Sequence, residues 1–570
     1  MNRITYFKHS FFLICIILGC SSFAQNYIPF TPRFDQDVRG DIILIGNNIL
    51  GPNNEAFNEN SVYNHNVDMR YVDIDNDIST YSSSSADLEI PNPNCYQIIY
   101  AGLYWGAVTG GSESITEVQL KGPTGVYNDV TGTVIYNADD NITGNSFPYS
   151  CYADVTDIIS NLENDLGTYT VANVSSAQGE TSSFDPYNGT GYSAGWSLFI
   201  VYEDPTMPGK SITSFDGFSA ISSSVNLDVP VSGFRTVPEP APVRANFAFA
   251  ALEGDKPIRN DLMLINDVNL STIDRPANNF FNSSVTRLDA TVVTNRNPNS
   301  TNTLGFDTGV MVVPNPNNMV IANDATNATV RLESNQDTYF EYFFAFAVEI
   351  IEPNIVLTKV VEDAIGNNIG GQLVNLGDEL NYVIGFQNTG NDSATNITIR
   401  DILPTNIVFN YPEDIISLPP GVSVESYNFE TREIIFRIDE YIVEENDPIS
   451  EIRFKVKVVS TCSLLNDACS NIVTNQAFAT YYGTLNSSFI ITDDPSISTN
   501  VGCLLTPAAT NFLANITCVF SEEVILCGDS VQLTAADGYD AYSWSTSPTG
   551  IPEIGTTQSI MVTTTGTYYS

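Results

Sequence analysis

Lys359, Asp401 and Asn475 supply an amine, a carboxylate and a carboxamide at positions that a β-sandwich would bury. Lys359 shares parity with Ile355 and Leu357, Asp401 with Ile397 and Ile399, and Asn475 with Val473 and Ala477. Residues two apart line one face of a strand, so all three are expected to point into a single core. A buried ammonium costs several kcal/mol unless it is paired. Lys359 therefore either forms a buried ion pair with Asp401 or snorkels outward, or it attacks Asn475 to make an isopeptide crosslink with Asp401 as proton carrier. Loss of one ammonia from the intact mass separates these outcomes.

Asp73-Ile-Asp75-Asn-Asp77 places three carboxylates at alternate positions, where mutual repulsion invites a hard cation such as calcium. Ile78 stands where an EF-hand loop needs glycine and Ser84 where it needs glutamate, so that pattern fails. The competing reading is a solvated acidic loop. No other cofactor is implied. Gly191-Tyr-Ser193-Ala-Gly195 matches the nucleophile elbow G-x-S-x-G, which needs a strand before it, a helix after it and a histidine base. A Ser/Asn/Gly loop precedes it and the strand pattern from Trp196 to Tyr202 follows. His65, the one histidine beyond the leader, lies in an Asn-rich segment. A glycine-rich turn entering a buried strand explains the motif better than hydrolysis. Glycosidase carboxylates cannot be sought by spacing, because 66 acidic residues make chance pairs common.

Nine cysteines include two in the leader. In an exported chain without a CxxC pair the rest read as disulfides rather than zinc ligands. Cys95 with Cys151 and Cys462 with Cys469 are the pairings expected. Cys503 with Cys518 is a third, with Cys518–Cys527 as its alternative; either leaves one cysteine over.

The elements that must hold these groups are strands. Leu380, Tyr382, Ile384 and Phe386 alternate with Asn381, Val383, Gly385 and Gln387, and Asn388-Thr-Gly-Asn supplies a turn. Tyr96–Trp105 and Tyr339–Ile351 are apolar on both parities, as strands covered on two sides should be. Only Asp154–Asn164 has helical periodicity, with Val155, Ile158, Ile159 and Leu162 on one face. The expected fold is all-β: an N-terminal β-sandwich or jelly-roll-like domain, then tandem immunoglobulin-like β-sandwiches. Residues 1–24 read as a signal peptide, with Arg3 and Lys8, an apolar run from Phe11 to Leu18, and Ser22-Phe23-Ala24 as cleavage site. A lipoprotein reading at Cys20 competes less well, because Leu18 stands where a small residue is usual. The N-terminal domain is expected over 25–351, the first immunoglobulin-like domain over 352–500, and a second over 501–570 with Trp544 at its core. The abrupt stop after Gly566-Thr-Tyr568 suggests a longer protein. No segment is apolar enough to span a bilayer. The formal charge of −44, two units more negative once Arg3 and Lys8 leave, argues against nucleic acid and anionic lipid as partners.

LTKVV, GDELNYVIGFQNTG, ATNITIRDILP and NIVTNQAFATYYG resemble the conserved-repeat domain of unknown function found in bacterial surface proteins. CGDSVQLTAADGYDAYSWST with SIMVTTTGTYYS is similar to immunoglobulin-like modules of large adhesins from gliding bacteria that use type IX secretion. YAGLYWG, CYADVTDII, GTYTVANV and AGWSLFIVYED resemble an N-terminal β domain preceding such repeats. These resemblances imply a non-enzymatic, exported protein on the outer face of the outer membrane. Attachment would come through a sorting region beyond residue 570, and loops of 25–351 would meet an extracellular surface, polysaccharide or protein ligand. The rival is a carbohydrate-binding or glycoside-active protein on a jelly roll; a third reading makes 25–351 a filament or coat subunit.

Overall fold

The computed structural model describes residues 27–570 except 76, 112–113, 139–146, 182–189, 224, 289–291, 446, 461–470, 488, 499–506, 516–522 and 536–540. Residues 1–24, expected to be a signal peptide, and Cys462, Cys469, Cys503 and Cys518 lie outside the described residues. The fold is all-β, and no described helix is long and apolar enough to cross a membrane. The expected helix shrinks to Thr156–Ser160, with Ile159 buried against the sheet.

One strand, Tyr27–Asn48, organises the first unit. Its first half pairs with Gly209–Ile221 and its second half with Ala194–Glu203; the changeover falls at Gly40. A Cβ on Gly40 would lie 1.9 Å from the Tyr202 carbonyl oxygen, so the approach of these backbones demands glycine. Through this strand ten strands join into one sheet. It runs from Val285–Thr286, Phe306–Val312 and Ala245–Leu252 through Tyr339–Glu349, Gly209–Ile221, Tyr27–Asn48 and Ala194–Glu203 to Gln97–Thr109, Phe147–Asp154 and Thr133–Asn137.

The sheet folds over on itself. Tyr104 and Phe343 stand on strands four places apart, yet their ring centroids are 4.3 Å apart. Neighbouring strands in a flat sheet are already about 4.8 Å apart. The inner layer holds Tyr104, Phe199, Ile212, Phe340 and Phe343. Outside it, a four-stranded sheet covers Phe247, Phe249, Phe344 and Phe346, and a five-stranded sheet, which contributes Tyr169, covers Trp105, Trp196 and Leu198. Burial on both sides is why Tyr96–Trp105 and Tyr339–Ile351 are apolar on both parities.

The second unit is a sandwich. Ile355–Glu362, Glu379–Asn388 and Ser450–Val458 form one face; Glu433–Ile438, Ala394–Ile402 and Ala477–Gly483 form the other. Leu357, Ile384, Ile399, Phe436 and Phe454 fill the space between. Thr510–Ala514 pairs with Ile472–Asn475 and Leu373–Val374, and Phe512 and Ala514 lie in the same core. The boundary expected at residue 500 is therefore corrected: a later strand returns to cover this edge, and the unit reaches Ala514. Beyond it, Val531–Thr534 pairs with Ser559–Val562 and Trp544–Ser545 with Glu553–Gly555. Trp544 is buried there as expected, its indole N–H donating to the Thr557 carbonyl at 2.8 Å.

Candidate functional site

Strand parity delivers Lys359, Asp401 and Asn475 to the core as the alternation requires. Lys359 and Asp401 are 0% exposed and Asn475 is 4% exposed. Their strands belong to three different sheets, so the cluster crosses the sandwich. Lys359 Nζ contacts Asp401 Oδ2. The ammonium also lies 4.4 Å from the Tyr382 ring centroid and 5.4 Å from that of Phe454. Asp401 is opposite Ala477, two residues from Asn475. The Tyr382 hydroxyl stands beside Asn475, but neither amide atom finds a hydrogen-bond partner of acceptable geometry, and Asp401 Oδ1 has none either.

Burial drives the Lys359 pKa down, opposed by the Asp401 carboxylate. A desolvated amine beside a proton acceptor is the arrangement that activates lysine as a nucleophile. Buried polar atoms without partners cost about 1–3 kcal/mol each. Forming an amide between Lys359 and Asn475 would remove the ammonium from this apolar pocket. In that step Asp401 takes a proton from Lys359, and Nζ attacks Asn475 Cγ. The Cγ–Nδ2 bond breaks, and the nitrogen departs as ammonium with the proton held by Asp401 and one from the amine.

The other sequence candidates fare differently. Asp73 Oδ1 accepts from Ser83 Oγ at 3.0 Å, while Asp77 Oδ1 accepts from the Ser79 N–H and hydroxyl at 2.9 and 2.7 Å. Asp75 accepts from Tyr127 and lies 3.7 Å from Lys121 Nζ. Each carboxylate is held by its own local donors, and the described residues contain no group of three that could hold a metal. Cys95 is disulfide-bonded but Cys151 is free, so those two do not pair. Cys151 lies opposite Trp105, eight residues into the strand Gln97–Thr109 that begins after Cys95 and rises about 3.3 Å per residue; bridged Cα atoms are about 4.4–6.8 Å apart. Its thiol instead donates to the Ile115 carbonyl, and burial pushes its pKa up to about 12. Cys527 is a free, exposed thiol, which removes the Cys518–Cys527 alternative.

The G-x-S-x-G glycines serve packing. A Cβ on Gly191 would lie 2.4 Å from the Asn64 side chain, and one on Gly195 2.3 Å from the Phe306 ring. Ser193 is fully buried and the strand Ala194–Glu203 follows it, so no elbow forms. His65 stacks on Tyr63, with centroids 5.4 Å apart.

Sequence reasoning missed a set of buried charges in the first unit. Arg275 is 0% exposed, donating to Asp307 at 2.8 Å and to the carbonyls of Phe280 and Ser284 at 2.6 Å. Glu253 accepts from the Gly191 N–H and Asn64 Nδ2, both at 2.8 Å. Asp255 donates its N–H to Asp337 at 2.9 Å. Burial pushes Asp255 and Asp261 up to about 7 and Glu253, Asp337 and Glu341 well above the usual carboxylate range. Both Glu341 oxygens lack partners. Glu341 had a signal: it is the only charge inside the apolar stretch Tyr339–Val348.

No curated protein is significantly similar to this chain. Among solved structures, an Escherichia coli alpha-2-macroglobulin fragment matches at 10% identity and a TM-score of 0.17, covering 34% of this chain and 31% of its own. Domains D2 and D3 of the Corynebacterium diphtheriae major pilin SpaD match at 13% and 0.18, covering 25% and 50%. A putative membrane-anchored protein from the same organism matches at 9% and 0.20, covering 85% and 98%. The match thus spans half or less of the first two. Residues 359–480 match the model of a domain of unknown function (DUF7619), a stretch that opens on Lys359 and holds Asp401 and Asn475.

Proposed function

We propose that this chain is an exported, non-enzymatic surface protein that displays the 25–351 unit on immunoglobulin-like modules, the first of them crosslinked between Lys359 and Asn475. The observation that carries the reading is the buried Lys359–Asp401 pair between two sheets of the second unit, lined by Tyr382 and Phe454, with Asn475 buried beside the Tyr382 hydroxyl. A covalent tie there serves a spacer that must survive mechanical stress outside the cell. An intact-mass deficit that shrinks by one ammonia in Lys359→Arg supports it; a deficit unchanged by that substitution, or no deficit at all, removes the crosslink. Protease shaving of intact cells tests display: release of 25–351 fragments supports it, and protection of the whole chain removes it. Motility-associated adhesion and type IX export belong to this reading through the resemblance of the 527–570 segment. Loss of the shaved fragments on disabling that secretion route is the outcome expected.

One observation favours a second reading, sugar binding without hydrolysis. A groove of about 580 Å³ on the five-stranded sheet is lined by Tyr81, Gln119, Asp129, Asn173 and Ser175. Tyr81 is 46% exposed, and its hydroxyl donates to the Asn173 carbonyl at 2.7 Å. Gln119 Nε2 donates to Asp129 at 2.9 Å. An aromatic ring among pre-oriented amide and carboxylate groups suits a neutral glycan. Glycan-array binding abolished by Tyr81→Ala supports this reading; an array without hits removes it.

A further inference from the structure

The first unit contains the same three side-chain types converging on one buried carboxylate. Lys210 Nζ lies 2.6 Å from Asp41 Oδ2. Asn246 Nδ2 donates to Asp41 Oδ1 and Oδ2, each at 2.8 Å. Asp41 is 4% exposed, Asn246 6% and Lys210 7%. The amine and the amide nitrogen therefore meet at the same oxygen, inside the protein.

The strands explain the convergence. Lys210 shares parity with Ile212, and Asn246 with Ala248 and Ala250; all three apolar partners face the inner layer of the folded-over sheet. Between their strands runs Tyr339–Glu349, where Glu349 is opposite Lys210 and Ala347 opposite Asn246. Ala347, which by register lies between Ile212 and Asn246, presents only a methyl group beside Asn246. Glu349, the nearest competing carboxylate by register, pairs with Arg244 at 3.3 Å. Asp41 is brought in just after Gly40, where Tyr27–Asn48 changes partners. A plain ion pair would not need the carboxamide, and a carboxamide held by two oxygens would not need the lysine.

We propose that Lys210 and Asn246 form a second isopeptide crosslink, with Asp41 as its proton carrier. It uses the chemistry proposed for Lys359 but rests on separate residues in a separate unit. Asp41 takes a proton from the Lys210 ammonium. The freed lone pair attacks Asn246 Cγ, a C–N bond forms and the Cγ–Nδ2 bond breaks. The nitrogen leaves as ammonium, taking the proton held by Asp41 and one from the attacking amine. No oxidant or cofactor enters. The product ties Gly209–Ile221 to Ala245–Leu252 across the strand between them. Proximity supplies the rate: amine and amide are held by one acceptor.

The experiment is intact mass and tryptic mapping of the full chain, as wild type, Lys210→Arg, Lys359→Arg and the double variant. Arginine keeps the charge and cannot form the amide. A wild-type deficit of two ammonias is expected, falling to one in each single variant and to none in the double. The wild-type map should contain a branched peptide joining Lys210 to Asn246, with no tryptic cleavage after Lys210. A deficit persisting in Lys359→Arg belongs to Lys210, so the two crosslinks succeed or fail separately. Recovery of unlinked wild-type peptides ending at Lys210 and carrying intact Asn246 overturns the proposal, and this reading needs no variant to fold.

Discussion

The two large units bury charge in opposite ways. The first encloses a surplus of acids: Glu253, Asp255, Asp261, Asp337 and Glu341 are buried alongside the paired Arg275–Asp307 and Lys210–Asp41. The second encloses one amine among aromatic rings, paired with Asp401. Burial favours the neutral form in both, so it keeps the acids protonated and the lysine poised to lose its proton. The same physical cost is met by protonation in one unit and opens a route to bond formation in the other.

The sharpest way to break this contrast is Lys359→Ala. It strands Asp401 in an apolar core, and loss of about 3–5 kcal/mol from the second unit is expected, read in the second-unit unfolding transition with the first-unit transition unmoved. Gly40→Ala tests the opposite unit. Forcing a methyl against the Tyr202 carbonyl is expected to cost about 1–3 kcal/mol in the first transition alone, by denaturant melts.

Titration should then separate the units by sign. Buried acids with folded pKa values above their unfolded ones near 4 stabilise the first unit fully below about pH 4. That contribution falls as pH rises through about 7, where Asp255 and Asp261 titrate, and beyond. Lys359 has a folded pKa below its unfolded value near 10.4, so as an ion pair it makes the second unit gain stability as pH climbs toward that value. The slope is bounded by about 1.4 kcal/mol per pH unit for each proton. A lysine consumed in an amide has no proton to lose, so a flat alkaline profile marks the crosslinked form. Tyr81→Ala should change either unit by only about 0.5 kcal/mol, leaving glycan binding as its readout.

Parity was enough to read the second unit's site because its strands bury one face, so Lys359, Asp401 and Asn475 had one direction to point. The Asp73–Asp77 segment has no such constraint. Its side chains turn to whichever hydroxyl or N–H is nearest, and alternate spacing says nothing about where they meet. Cys95 and Cys151 failed for want of a register, which only pairing with Gln97–Thr109 fixes. Arg275 lies in a stretch without periodicity, and the Lys210–Asp41–Asn246 meeting depends on a sheet folding over at Gly40. No local pattern encodes that.

The chain enters the second unit directly from Tyr339–Glu349, which is hydrogen-bonded on both sides, to Gly209–Ile221 and to Ala245–Leu252. A pull transmitted along the polypeptide at Ile351 thus loads both ladders in shear, many bonds sharing the force, rather than unzipping an edge one bond at a time. The attachment point lies in the middle of the molecule's widest sheet, where tension has the most backbone to recruit.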